Sequence, residues 1–85
     1  MSYITPTTQA TFYNFKEELV SIPLITLSVW IAGLRLAIKT GEDLTGVEKV
    51  VRKYLKTPKK YPAEDILHHL ETVRTETHKH YRITE

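Results

Sequence analysis

Residues 8–23, TQATFYNFKEELVSIP, decide whether this chain is helical from end to end. Phe12, Phe15, Leu19 and Ile22 recur at three- and four-residue intervals, the spacing that lines one face of an α-helix. Asn14, Lys16, Glu17 and Glu18 fall on the other faces. Thr5-Pro6 precedes them as a start signal, since proline is tolerated at a first helical position. The spacing predicts an amphipathic helix over residues 8–21. Pro23 lacks a backbone N–H and disfavours helical geometry at Ile22. It either kinks one long helix or divides two.

Working outward, residues 24–39 continue as a second helix, and Thr40-Gly41 stops it because glycine accepts the left-handed conformation past a helix end. Thr45-Gly46-Val47-Glu48 has the spacing of a capping box. Behind it Val47, Val50, Val51, Tyr54 and Leu55 form an apolar face, ending near Lys56, where Thr57-Pro58 breaks the helix. Pro62 opens the last helix, with Glu64 and Asp65 where acids favour the positive dipole end. Ile66, Leu70, Val73 and Thr77 give that helix an apolar stripe, and it frays past His78. The sequence thus predicts an all-α fold, a single helical domain over residues 1–85 with three to four helices.

The second helix is unusual. From Leu24 to Ile38 the apolar residues cover nearly the whole circumference, whereas a surface helix is apolar on one side only. Three readings follow. The helix is the centre of the core, or an interface between chains, or a membrane span. Residues 19–38, LVSIPLITLSVWIAGLRLAI, carry one charge, Arg35, and as a helix would reach about 30 Å, the thickness of a hydrocarbon core. The favoured reading joins core and interface: association through the residue 23–38 helix, with Leu27, Trp30, Ile31, Leu34 and Ile38 holding a protein partner.

Six basic residues and no acid follow over residues 49–60. Lys49, Arg52, Lys53 and Lys56 project in one helical sector, and Lys59 and Lys60 lie just beyond. A basic amphipathic helix suits an acidic protein, nucleic-acid phosphates or anionic lipid, and it also occurs as a plain solvated face.

Composition narrows the chemistry. The chain has 85 residues, 12 basic against 10 acidic, and no cysteine. Disulfides and thiolate zinc sites are therefore excluded. The lack of cysteine fits a reducing compartment, and with no cleavable signal visible in the first eighteen residues the expected location is cytoplasmic, or membrane-associated if residues 19–38 span a bilayer. His68, His69, His78 and His80 crowd the last quarter beside Glu64, Asp65, Glu71 and Glu76. Metal sites need three or four ligands on one face, and His68 and His69 diverge by about 100° on a helix, so no metal or other cofactor is expected. No serine sits in a glycine-rich elbow and three glycines make no phosphate loop. The expectation is a small non-enzymatic interaction or assembly protein, a homo-oligomer or a subunit of a complex. The alternatives are a membrane-associated subunit and a nucleic-acid-binding regulator.

Overall fold

A computed structural model describes the backbone of residues 8–83 and the side chains of residues 8–80. The Thr5-Pro6 start signal lies outside the described residues. Among those described, the order of elements is β1 (Gln9–Tyr13), β2 (Leu19–Pro23), α1 (Leu24–Thr40), α2 (Val47–Leu55) and α3 (Ala63–Ile83). The all-α expectation is therefore corrected to an α+β fold, three helices and a two-stranded antiparallel sheet among the described residues.

Residues 8–21 are not a helix. Strands β1 and β2 pair Ala10 with Ile22 and Phe12 with Val20. Ala10, Phe12, Asn14 and Ile22 turn inward, while Thr11, Tyr13, Leu19 and Ser21 face solvent. The side-chain period is two, as in any strand. Leu19, which helical spacing placed with the core, is 63% exposed.

The turn explains how the chain reverses without a glycine. Glu17 N–H donates to the Asn14 carbonyl at 3.1 Å, and Asn14 N–H to the Glu18 carbonyl at 2.9 Å. The buried Asn14 side chain accepts from Lys16 N–H and Glu18 N–H, each at 2.9 Å. An asparagine side chain thus imitates backbone and closes the loop. Glu17 takes the left-handed conformation, φ 61°, where glycine normally sits in a three-residue hairpin loop.

Pro23 divides two elements rather than kinking one. It ends β2 in extended geometry, ψ 146°, and α1 starts at the next residue. Leu24 N–H, left without an intrahelical acceptor, donates to the Thr8 carbonyl at 2.8 Å. This split also removes the membrane-span reading of residues 19–38, because their first five residues are strand. No helix among the described residues is long and apolar enough to cross a membrane. Helix α1 ends as its sequence implies, with Gly41 at φ 79° donating its N–H to the Ala37 carbonyl.

Helix α2 is capped differently from the expected box. The Asp43 carboxylate accepts from Glu48 N–H at 3.1 Å and Lys49 N–H at 3.0 Å. Glu48 instead pairs with Arg52 one turn on, at 3.0 Å. Helix α3 starts after Pro62, whose carbonyl accepts from Asp65 and Ile66 N–H at 3.1 and 3.2 Å. It runs beyond His78 to Ile83.

Helix α1 lies at the centre. Its residues Leu24, Leu27, Trp30, Ile31 and Leu34 are buried with Ala10, Phe12 and Ile22 of the hairpin, Val51 and Leu55 of α2, and Ile66 and Leu70 of α3. Burying a side chain such as Leu or Ile stabilises by about 1.5–3 kcal/mol relative to leaving it exposed, so this cluster dominates the stability. Gly33 sets the α1–α2 distance: a Cβ there would lie 2.5 Å from Val47 Cβ.

Candidate functional site

The apolar residues expected to hold a partner are mostly occupied by the chain itself. Leu27, Trp30, Ile31 and Leu34 are buried in the core and Ile38 is half-buried. Trp30 stacks edge-on against Tyr54 with ring centroids 5.2 Å apart. What α1 leaves to solvent is a different set, Ile25, Val29, Ala32 and Leu36. Their spacing of four, three and four residues keeps them on one line along the helix.

Helix α2 extends this face. Val47, Val50 and Tyr54 stand at i, i+3 and i+7 on one edge of α2. Val47 meets Gly33 and Tyr54 meets Trp30, so Val50 between them lies along the α1 side. Ile25 and Val29 are each 55% exposed, Val50 54%, Tyr54 41% and Leu36 39%. Together they present apolar side chains to solvent on two adjacent helices, the kind of exposed patch that marks interaction surfaces.

The six basic residues do not act as one face. Lys49 and Lys53 are exposed on α2, in the row next to Val50 and Tyr54. Arg52 turns toward Glu48, and its Nη1 is buried with no hydrogen-bond partner. Lys56 ends α2 in the left-handed conformation, φ 56°, and its Nζ holds Glu18 Oε1 at 2.8 Å. Lys59 and Lys60 are exposed in the connection to α3. Among the described residues Lys49, Lys53, Lys59 and Lys60 make no ion pair. On the other flank of the patch, Lys39 is exposed and Arg35 pairs with Glu71 of α3. The patch is therefore edged by cations on both sides.

Glu18 links hairpin and α2 electrostatically. The hydrogen bond from the Asn14 side chain, and then the bond and charge of Lys56, hold its carboxyl below the ordinary value of 4.5. The C-terminal histidines are placed apart: His69 packs on Phe12 and Phe15 with ring centroids 5.8 and 5.6 Å away, and His68 is exposed. Among the described residues no group of three His, Asp or Glu side chains is placed to hold a metal ion.

The sequence reading missed Ile25, Val29 and Leu36 because it chose the middle of an all-round apolar helix. The signal that separates the two sets is their phase: Ile25, Val29, Ala32 and Leu36 stand opposite Leu27, Ile31 and Leu34. No family model, no curated protein and no solved structure matches this chain.

Proposed function

We propose that this chain is a non-enzymatic interaction module that docks on a partner protein through the outer face of α1 and α2. The exposed row Ile25, Val29 and Leu36, continued by Val50 and Tyr54, carries the reading. The cationic edges select the partner. A second copy would bring two sets of Lys39, Lys49 and Lys53 together, and like charges facing one another cost several kcal/mol. An amphipathic helix with apolar residues on one face and Asp or Glu on its flanks matches both the patch and its rim. A standard interface buries about 800 Å² per partner, so the apolar patch serves as its centre and the lysines as its rim. Nucleic acid is less favoured, since Arg52 and Lys56 are tied to Glu48 and Glu18. The cysteine-free composition accords with a cytoplasmic location.

The test uses a designed helical peptide with a Leu stripe flanked by Glu. Val29→Ser with Val50→Ser should weaken its binding at least tenfold while leaving the unfolding midpoint nearly unchanged. Lys49→Glu with Lys53→Glu should weaken it at low salt and by less at high salt, where exposed charges are screened. Equal affinity for the original chain and the Val29/Val50 variant would overturn the reading, and so would a dimer held by this face in the absence of peptide.

A further inference from the structure

Between β1 and the C-terminal half of α3 runs a groove of about 490 Å³, to which no described residue of β2, α1 or α2 contributes. Both faces of β1 line it, Thr11 from the outer face and Phe12 from the inner. A cavity touches both faces of a strand only at the strand's edge. The groove therefore follows the edge of β1 that β2 leaves free.

The hydrogen-bond phase of the hairpin fixes what that edge presents. Leu24 N–H donates to the Thr8 carbonyl and Asn14 N–H to the Glu18 carbonyl. In an antiparallel ladder, pairs that exchange hydrogen bonds alternate with pairs that do not. Ala10–Ile22 and Phe12–Val20 are thus the exchanging pairs, and Thr11–Ser21 and Tyr13–Leu19 are the open ones. The N–H and C=O of Thr11 and Tyr13 point away from β2. An edge of this kind is a template for another strand unless something covers it. Helix α3 stands off from it and forms the opposite wall.

We propose that this groove binds an extended segment of a partner protein, which adds to β1 as a third strand. Main-chain bonds to Thr11 and Tyr13 supply the attachment, as in other strand-addition complexes. Side chains of the added strand alternate, so every second one points inward onto Phe12 and Val73 and should be apolar. Glu76 stands on the α3 wall, exposed and without an ion pair among the described residues. It selects a segment carrying lysine or arginine. The β1 strand of a second copy, Gln9–Tyr13, carries no lysine or arginine to set against Glu76.

The probe is a capped peptide, Val-Lys-Val-Thr-Val, titrated to millimolar concentration into the full, isotope-labelled chain. The amide signals of Thr11 and Tyr13 should shift, and Thr11 N–H exchange should slow at least tenfold at saturation. Two isomers methylated on alternate peptide nitrogens should behave oppositely, one losing the shifts and the other keeping them, because only alternate amides face β1. Glu76→Lys, an exposed substitution, should weaken binding at least tenfold. Silence at Thr11 and Tyr13, identical behaviour of the two methylated isomers, or shifts confined to Val50 and Tyr54 would each overturn the proposal. So would protection of Thr11 that grows with protein concentration in the absence of peptide, which would make a second copy the occupant.

Discussion

Helix α2 and the hairpin meet the same end of the core, at Leu55 and Phe15, but they are specified over different distances along the chain. Val47, Val51 and Leu55 stand at i, i+4 and i+8, and the cap on α2 comes from Asp43, a few residues upstream. Everything that makes α2 a helix is written within about fourteen residues. The hairpin has its own turn at Asn14, but its inner face is held by distant residues. Phe15 rests on Tyr61 with ring centroids 4.7 Å apart and on His69, and Phe12 also meets His69. An isolated two-stranded hairpin is marginal in water, so those distant contacts select strand over helix.

If that contrast holds, the hairpin should be as necessary to the core as α2 is. Phe12→Ala should cost about 3–5 kcal/mol and Leu55→Ala about 2–5 kcal/mol in urea unfolding. A loss under about 1 kcal/mol for Phe12→Ala would instead make the hairpin an appendage, because a large buried side chain is not removed from a packed core that cheaply. The turn is the next place to press. Asn14→Ala leaves Lys16 N–H and Glu18 N–H without their acceptor, and each such hydrogen bond is worth about 0.5–1.5 kcal/mol. It should also let Glu18 titrate closer to its ordinary value, since the Asn14 bond is the largest cause of its depression. Carboxyl NMR would show no change in Glu18 if Lys56 alone governed it.

The smallest effect compares the two left-handed residues directly. Glu17→Gly relieves a positive φ at a solvated loop and should stabilise by about 0.5–1 kcal/mol. Lys56→Gly relieves the same strain but removes the ion pair to Glu18, so its gain should be smaller. Thermal unfolding of both variants side by side gives the order, and a larger gain at Lys56 would contradict it.

The same contrast explains what the sequence made legible. Helices α2 and α3 are readable because their apolar residues recur with one period over nine or more residues, and α1 because Pro23 and Thr40-Gly41 bound a long apolar run. Strands of five residues offer too few repeats to tell period two from period 3.6. Phe12, Phe15, Leu19 and Ile22 happen to satisfy helical spacing, although Leu19 and Ile22 sit on opposite faces of β2. Asn14 before Phe-Lys-Glu is a turn signal in retrospect, but Asn-Gly, its usual form, is absent. The binding face was half legible. Which side of α1 stays open depends on where the hairpin, α2 and α3 settle. The basic cluster was visible in full, yet its division depends on Glu18, a residue from the far end of the hairpin.

The meeting of Phe15 with Leu55 also orders the molecule in time. Phe15 N–H donates to the Leu55 carbonyl at 3.0 Å, joining the tip of the hairpin to the end of α2. The turn bonds at Asn14 close small loops and form within microseconds. The Phe15 bond encloses all of α1 and α2, so it must wait until those helices have formed and docked, since long loops are closed late and slowly. The tip of the hairpin is therefore locked in place only after α1 and α2 have docked. The α3 wall beside β1 closes a longer loop still, from Phe12 to His69, and until it docks the edge of β1 that β2 leaves open is exposed to strand pairing with the wrong neighbour.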